Sequence, residues 1–238
     1  MTNETNSPPE IESCEVTVDA GEVALSGILS IPRRSAGIVL FAHGSGSSRH
    51  SPRNLYVAGV LHSRGMATLL FDLLTTEEES LDLLTAELRF DIPMLARRLI
   101  GATQWVERNP DTGSLPLGYF GASTGAAAAL IAAADTNGAV KTIVSRGGRP
   151  DLAGSALGRV RAPTLFIVGE NDALVLGMNR DALERLASRE SKLVIIPGAT
   201  HLFEEPGALE EVARVAAEWF HKHLAPSPQA RGNSFAHR

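Results

Sequence analysis

Gly121-Ala122-Ser123-Thr124-Gly125 places a serine between two glycines at the point where a predicted strand turns into a predicted helix. The apolar run Leu115 to Phe120 precedes this stretch, and an alanine-rich run to Ala134 follows it. A serine at such a turn is exposed at the rim of the sheet on a strained backbone. The glycines are needed because side chains there would collide with the adjacent strand and helix. The pattern predicts a nucleophile elbow with Ser123 as the nucleophile, whereas the alternative is a serine in an ordinary strand-to-helix turn.

A serine hydroxyl becomes a nucleophile at neutral pH only when a base takes its proton and a carboxylate orients that base. In α/β-hydrolases the acid and then the histidine follow the serine along the chain. Asp172 comes just after the predicted strand Thr164 to Val168. His201 follows the predicted strand Lys192 to Ile196. Because the carboxyl ends of parallel strands meet at one edge of a sheet, we expect Ser123 and these two residues to converge there.

Two other residues after the predicted strand Thr164 to Val168 are alternatives to Asp172 as the acid. Glu170 lies two residues earlier, and Asn171 cannot carry a charge. We favour Asp172 because two residues of loop beyond the strand let its side chain reach the histidine. Among the seven histidines, only His201 follows a predicted strand in the required order.

The tetrahedral intermediate of acyl transfer carries an oxyanion that needs preorganised hydrogen-bond donors. The backbone N–H of Thr124, directly after the nucleophile, is expected to be one of them. The other should come from the loop after an early strand, and the predicted strand Gly37 to Ala42 opens into His43-Gly44-Ser45-Gly46-Ser47-Ser48. We place the second donor on Ser45, whose side chain need not take part.

Four further residues are candidates for binding the substrate. Arg49, Arg53 and Arg146 follow predicted strands, and His43 opens the oxyanion loop. A guanidinium at this edge can hold a substrate carboxylate or phosphate by a bidentate pair. Alternatively, each arginine braces a loop through an internal ion pair or through backbone carbonyls, and both alternatives stay open.

With these residues in place, the chain resembles the α/β-hydrolases of the dienelactone hydrolase-like group, from about Glu22 to Leu224. The resemblance rests on the His43-Gly44 loop, the Ser123 elbow, Asp172 and His201. It implies that Ser123 is the nucleophile, His201 the base and Asp172 the orienting acid.

Two features depart from that group. Dienelactone hydrolases use a cysteine at the elbow, whereas the single cysteine here is Cys14. They also carry a basic residue shortly after the catalytic histidine, whereas Glu204 and Glu205 occupy that stretch here. These differences point away from dienelactone and towards general ester hydrolysis.

Composition sets wider bounds. With 238 residues, of which 44% are hydrophobic and 21% charged, the chain can bury one core. We therefore expect a single domain over 12–224, with flexible termini at 1–11 and 225–238. A net charge of −5 argues against nucleic-acid binding. No stretch resembles a secretory signal or a membrane span, and a single cysteine suits a reducing compartment, so the prediction is a cytoplasmic protein.

The predicted elements alternate along the chain, which indicates an α/β-hydrolase fold: a mostly parallel sheet with helices on both faces. An antiparallel hairpin, Glu15 to Asp19 with Glu22 to Ile31, precedes that sheet. Thr76 and Glu79 have the spacing of a capping box for a helix over 77–88, and Asp91 and Pro93 open the next helix. The remaining predicted strands are 67–72, 140–145 and 163–168, and the remaining predicted helices are 52–63, 151–157, 178–188 and 207–224.

The chemistry expected from these residues is hydrolysis of a small-molecule carboxylic ester through an acyl-enzyme. The linker 147–162 is too short for a separate cap domain, so only loops and the segment 77–90 can cover the pocket. Small to moderate acyl groups are therefore favoured. The alternatives are hydrolysis of another acyl bond (thioester, peptide or lactone) and a non-catalytic binding protein. No metal, cofactor, membrane or nucleic-acid partner is expected, and the sequence is compatible with a homodimer.

Overall fold

The computed structural model describes residues 10–225 and contains one eight-stranded sheet. The strands are β1 (Ile11–Asp19), β2 (Ala24–Pro32), β3 (Gly37–Ala42), β4 (Met66–Phe71), β5 (Leu117–Ala122), β6 (Val140–Arg146), β7 (Thr164–Gly169) and β8 (Lys192–Ile196). Their order across the sheet is β1-β2-β4-β3-β5-β6-β7-β8. The β1–β2 and β2–β4 pairs are antiparallel, and all the others are parallel. The predicted fold class is confirmed.

Helices cover both faces of this sheet. They are α1 (Pro52–Ser63), α2 (Thr76–Thr85), α3 (Ile92–Arg108), α4 (Thr124–Asp135), α5 (Ala173–Arg185) and α6 (Ala208–Leu224), with 3-10 stretches at Leu88–Phe90 and Pro150–Arg159. α1 and α6 pack on one face, and α3 and α4 pack on the other. Every residue of β3, β4, β5 and β7 is buried, because strands covered on both faces expose neither set of side chains.

The capping box predicted at Thr76 and Glu79 is wrong by one residue. The N-cap of α2 is Thr75, whose hydroxyl accepts from the Glu78 backbone N–H while the Glu78 carboxylate accepts from the Thr75 N–H. Adjacent threonines followed by three glutamates fit either register locally. The Arg98 guanidinium on α3 binds the Glu78 carboxylate through both terminal nitrogens, and this tertiary contact favours the observed register.

Other boundaries differ from the prediction as well. β5 runs two residues further than predicted and ends at Ala122, directly before Ser123. α5 begins at Ala173 rather than at 178, so it follows Asp172 directly. The segment predicted as a helix over 151–157 is a 3-10 stretch with a non-helical residue, Gly154, inside it.

The N-terminal hairpin is present, and β1 already begins at Ile11, where it pairs with Pro32. The boundary predicted after residue 11 therefore falls inside a strand. The rest of the predicted flexible ends, 1–9 and 226–238, lies outside the described residues. Within the described part, no helix combines the length and the apolar character needed to cross a membrane.

Candidate active site

Ser123 occupies a strained turn between β5 and α4. Its φ of 49° and ψ of −119° lie in a region that L-residues rarely adopt. Hydrogen bonds fix the turn on both sides: the Ser123 N–H donates to the Arg146 carbonyl at 3.2 Å, and the Arg149 N–H donates to the Ser123 carbonyl at 3.1 Å. The backbone strain is therefore balanced by contacts with the end of β6 and the loop after it.

The two glycines around Ser123 are sterically required. A Cβ on Gly121 would overlap the backbone of Ala126, in the first turn of α4. A Cβ on Gly125 would overlap the carbonyl oxygens of Ala42 and His43, at the end of β3. Because α4 lies this close to β5 and to the end of β3, only glycine fits at these two positions of the elbow.

Asp172 and His201 meet above the sheet, although 29 residues separate them. The Nδ1 atom of His201 lies 2.6 Å from Oδ2 of Asp172, so an Nδ1–H donates to the carboxylate. The Asp172 side chain is 15% exposed and the His201 side chain 39% exposed. With Nδ1 engaged, Nε2 is the ring atom left to exchange a proton. The rival acid Glu170 instead accepts the backbone N–H of Gly198.

The elbow also lies close to these two partners. Gly147, directly after β6, packs against His201: a Cβ there would stand 3.4 Å from Cε1 of the ring. On the other side of the elbow, a Cβ on Gly44 would stand 3.1 Å from Cβ of Ser123. The structure therefore brings the histidine loop and the oxyanion loop to opposite sides of the elbow.

The two residues predicted to supply the oxyanion donors are in contact through their side chains. The Ser45 and Thr124 hydroxyls are 3.0 Å apart and hydrogen-bonded, a contact between residues 79 positions apart in the chain. Within residues 10–225, neither backbone N–H donates to a protein acceptor. The hydroxyl pair therefore links the two residues whose backbone N–H groups are the predicted donors, a contact that was not expected at Ser45 from the sequence.

His43 supports the oxyanion loop rather than offering a free ring to substrate. Its Nε2 accepts the Leu73 N–H at 3.0 Å, and its Nδ1 lies 3.0 Å from the Gly44 carbonyl, to which it donates. Burial lowers the pKa of His43, although the Gly44 carbonyl and nearby carboxylates oppose that shift. The neutral ring thus ties the start of the loop to the residues after β4.

An open cavity lies beside the oxyanion loop, and the 540 Å³ of empty space there includes solvent at its mouth. Its floor is the loop 43–47 with Thr124, and its walls come from the β4 end, α3 and the segment between β4 and α3. Leucines provide most of the apolar lining: Leu73, Leu74, Leu83 and Leu95. A space of this kind, apolar with a few polar groups, is typical of a small-molecule site.

Residues 76–90, which we call the cover segment, form one wall of this cavity and are held by ion pairs. Asp82, only 3% exposed, accepts from the Arg89 backbone N–H at 3.0 Å and from Arg89 Nε at 2.5 Å. Burial acts to raise the pKa of Asp82, but the bonds from Arg89 outweigh it, so the pKa is lowered. Glu78 pairs with Arg98, and this hydrogen bonding lowers the pKa of Glu78.

The candidate arginines have different environments. Arg49 pairs with Asp72 and lies 3.6 Å from Glu15, so it braces the loop between β3 and α1. Arg53 makes a 3.3 Å contact with Glu204, three residues after His201. Arg146 is buried at the end of β6, in the strand next to the elbow.

Sequence reasoning missed Arg89, the cation that lines the cavity. A Cβ on Gly46 would stand 3.7 Å from its Nη1 atom, so this nitrogen lies near the oxyanion loop. Asp82 and Arg89 are seven residues apart, but α2 ends at Thr85, so helical periodicity does not place them together. Only the turn that closes around the Asp82 carboxylate does. In the described part of the chain, no group of three or more His, Cys, Asp or Glu is arranged to hold a metal ion.

Comparison with known proteins identifies a family. The model of the dienelactone hydrolase family matches residues 61–224. A solved dienelactone hydrolase from Anabaena variabilis ATCC 29413 is 61% identical, with a TM-score of 0.87, over 92% of this chain and all of that chain. Est1E from Butyrivibrio proteoclasticus is 16% identical, with a TM-score of 0.73, over 88% of this chain and 98% of that one, and supports the fold alone.

A curated protein of Mycobacterium tuberculosis, present in strains CDC 1551 and H37Rv, is also similar. It bears the name "Putative phosphoribosyl transferase" and is 57% identical over 221 residues, which is 92% of this chain. The chain spans only about half (49%) of the length of these curated relatives.

Proposed function

Because this chain belongs to the dienelactone hydrolase family, we propose that it is a serine hydrolase that cleaves carboxylic esters through an acyl-enzyme. The observation that carries the proposal is the 2.6 Å hydrogen bond between His201 and Asp172, next to a serine on a strained elbow. That arrangement provides a nucleophile, a base and an orienting carboxylate in the chain order typical of the fold.

The first half of the proposed reaction forms the acyl-enzyme. Ser123 Oγ attacks the ester carbonyl carbon while His201 Nε2 takes the hydroxyl proton. The carbonyl oxygen becomes an oxyanion that the backbone N–H groups of Ser45 and Thr124 stabilise. The intermediate collapses, the C–O bond to the alcohol breaks, and the alcohol leaves with the proton from His201.

The second half releases the acid. Water attacks the acyl carbon, and its proton passes to His201 Nε2, which returns a proton to Ser123 Oγ as the acyl bond to the serine breaks. Asp172 accepts the Nδ1–H throughout and stabilises the imidazolium form. No oxidant, reductant or metal is required for this sequence of steps.

The apolar lining of the cavity is an argument for small to moderate acyl groups. Leucines line it, and the cover segment closes one side. The name of the Mycobacterium tuberculosis relative does not extend the proposal, because about half of that protein lies outside the match.

Labelling with a fluorophosphonate tests the nucleophile directly. We expect wild type to be modified once and Ser123→Ala not at all. Ser155→Ala, which removes an exposed hydroxyl from the 3-10 stretch, is the control and should label like wild type. Equal labelling of Ser123→Ala and wild type, or no labelling of wild type, contradicts the mechanism.

Substrate panels test the bond that is cleaved. Short p-nitrophenyl esters, acyl thioesters and aminoacyl amides present the same acyl carbon with different leaving groups. We expect the largest kcat/KM for the esters. A larger kcat/KM for thioesters or amides would indicate that the same residues cleave that acyl bond rather than an ester.

A further inference from the structure

A buried amide on α5 contacts the loop that follows β6. The buried residues of α5 are Val175, Leu176, Asn179 and Ala182, and Asn179 is the only polar one among them. It is 0% exposed. A polar amide in an apolar stripe costs free energy unless its hydrogen bonds are satisfied. The groups that Asn179 binds therefore indicate what this amide does.

The amide nitrogen of Asn179 donates two hydrogen bonds. One goes to the Val175 carbonyl at 2.8 Å, within α5, and the other to the Gly148 carbonyl at 3.0 Å, 31 residues away along the chain. Both neighbours are carbonyl oxygens, so the nitrogen and not the oxygen must face them. Within residues 10–225, Oδ1 is buried without a partner. The amide is thus satisfied on its donor side only, and its donors hold carbonyl groups.

Gly148 depends on this bond. The residue is buried, and within residues 10–225 no other donor reaches its carbonyl. Gly148 is also closely packed, because a Cβ there would overlap the Ser145 hydroxyl and the Ala126 methyl group. A buried carbonyl that loses its donor costs free energy, so the chain around it would shift to find another. Close packing and the Asn179 bond together fix the position of Gly148.

The residues on either side of Gly148 contact the nucleophile and the base. Gly147, Gly148 and Arg149 form what we call the β6 loop. The Arg149 N–H donates to the Ser123 carbonyl at 3.1 Å. Gly147 packs on the His201 ring, since a Cβ on Gly147 would stand 3.4 Å from Cε1. Gly148 links these two contacts, so a shift of Gly148 would change both.

The helix that carries Asn179 also begins at the acid. α5 starts directly after Asp172, and the Leu176 N–H donates to the Asp172 carbonyl at 2.8 Å. Asn179 lies about two helical turns further on. The bond from Asn179 to Gly148 therefore connects the helix of the acid to the loop that contacts the serine and the histidine. One hydrogen bond joins the segments that support all three residues of the candidate triad.

We propose that Asn179 is a positioning residue for the reaction, because its bond to the Gly148 carbonyl sets the distances among the three triad residues. The proposal rests on the serine hydrolysis proposed above and adds a residue outside the triad on which the rate depends. The cavity lies beside the oxyanion loop, whereas the β6 loop lies on the histidine side of the elbow. Substrate binding should therefore depend little on Asn179.

Steady-state kinetics of Asn179→Leu test the effect on the reaction. Leucine has the same branching and the same number of side-chain heavy atoms, but it donates no hydrogen bond. With a p-nitrophenyl ester, kcat should fall about 10- to 100-fold, the loss expected when reacting groups are misplaced by up to about 1 Å. KM should stay near that of wild type. The rate of fluorophosphonate labelling should fall with kcat, because labelling also needs Ser123 beside His201.

Thr142→Val is the matched control. Thr142 is fully buried in β6, donates to the Pro163 carbonyl at 2.8 Å and accepts from Trp219 Nε1 at 2.7 Å. Like Asn179, it holds the carbonyl of a neighbouring loop, but it lies near the start of β6, away from the elbow. Thr142→Val should keep the kcat of wild type even where its Tm falls. An equal loss of kcat in both variants overturns the proposal, since any buried hydrogen bond would then have the same effect.

Hydrogen exchange of backbone amides tests the β6 loop without any turnover. In wild type, the Arg149 N–H is protected by its bond to the Ser123 carbonyl. In Asn179→Leu this amide should exchange about tenfold faster, because the β6 loop opens more often once one of its hydrogen bonds is lost. Thr142→Val should leave the exchange rate of the Arg149 amide as it is in wild type.

Asn179→Ser separates the two bonds of the amide. A serine hydroxyl on a helix can donate to the carbonyl four residues earlier, here that of Val175, but it is too short to reach Gly148. It should therefore show the same loss of kcat and the same faster exchange as Asn179→Leu. If Asn179→Leu does not fold, Asn179→Ser gives the same measurements. Wild-type behaviour of Asn179→Ser would mean that the bond within α5 is the one that matters, which overturns the proposal.

The outcomes separate the two proposals. Unchanged exchange of the Arg149 amide in both Asn179 variants overturns the positioning role, whatever the activity. Faster exchange with a wild-type kcat, or a higher KM with an unchanged kcat, also overturns it, because the β6 loop would then not act on the reacting groups. If wild type is neither labelled nor active on any acyl substrate, the proposed function fails, while the exchange of the Arg149 amide still decides whether Asn179 holds the β6 loop.

Discussion

The elbow and the cover segment bound the same cavity but are held by different interactions. At the elbow, backbone hydrogen bonds and close approach of Gly121 and Gly125 to neighbouring backbone fix Ser123. In the cover segment, ion pairs hold a helix with three exposed leucines, Leu81, Leu83 and Leu84, which are 53%, 72% and 85% exposed. The comparison shows that backbone geometry holds the elbow, whereas charge holds the cover segment. Changes at the elbow should therefore affect kcat and folding, and changes in the cover segment should affect KM.

The largest effect is expected at the acid. Asp172→Asn keeps the shape of the side chain but no longer stabilises the His201 imidazolium or its reactive tautomer, so kcat should fall roughly 10⁴-fold. Glu170→Gln, which alters the rival carboxylate, should keep a kcat near that of wild type. Steady-state kinetics with a p-nitrophenyl ester make the comparison. A greater loss of kcat for Glu170→Gln than for Asp172→Asn would show that Glu170, and not Asp172, is the acid.

The steric constraint at the elbow predicts the next effect. Gly125→Ala should reduce the free energy of unfolding by about 3 kcal/mol, because the new Cβ overlaps the Ala42 and His43 carbonyl oxygens. Gly177→Ala, in α5 where no atom lies within 4 Å of the position that a Cβ would take, should instead stabilise by about 0.5–1 kcal/mol. Urea unfolding measures both. Similar behaviour of the two variants would show that the elbow is not tightly packed.

A substitution that loosens the cover segment should raise KM. Asp82→Asn removes the charge that holds Arg89, so the segment should open more often and KM should rise about tenfold, the loss expected for one charge-assisted hydrogen bond. Limited proteolysis within 76–90 should accelerate in parallel. Arg214→Gln, which breaks an exposed ion-pair group on α6, is the control and should change neither. A fall in kcat with unchanged KM would place the cover segment in the chemical step.

The smallest effect concerns pH at the oxyanion loop. Burial lowers the pKa of His43, so the unfolded chain takes up a proton near pH 6.5 that the folded state does not. The stability linked to this ring is present above that pH and is lost as pH falls through the folded pKa. The decrease in Tm between pH 7 and pH 5 should therefore be smaller in His43→Gln than in wild type. An identical slope would mean that the ring is not held neutral by burial.

Much of the fold could be predicted because burial leaves a pattern along the chain. β3 and β8 have the predicted boundaries because short apolar runs bounded by turns favour strands in a covered sheet, and α1 has them because Ser51 caps its start and Pro52 occupies its first position. The cap of α2 could not be predicted to the residue. The position of the cap depends on the contact of Glu78 with Arg98, twenty residues further along the chain, and no local sequence pattern predicts that contact.

The candidate site divides in the same way. Ser123, Asp172 and His201 could be predicted as a candidate triad because a strained turn needs glycines and because the ends of parallel strands meet at one edge of the sheet. The partners of the arginines could not be identified. Arg49, Arg53 and Arg146 all follow predicted strands, yet Arg49 pairs with Asp72, Arg53 contacts Glu204, and within residues 10–225 Nη1 of Arg146 is buried without a partner.

The sequence by itself therefore determined the order of strands and helices, the elbow and the candidate triad, because these follow from local sterics and from the apolar periodicity of the chain. Only the tertiary structure decided that Ser45 and Thr124 join, that Asp82 closes on Arg89, and that within residues 10–225 Nη1 of Arg146 is buried without a hydrogen bond. The physical reason is that a hydrogen bond or an ion pair depends on the distance between two atoms in space. Separation along the chain fixes that distance only within a single helix, strand or turn.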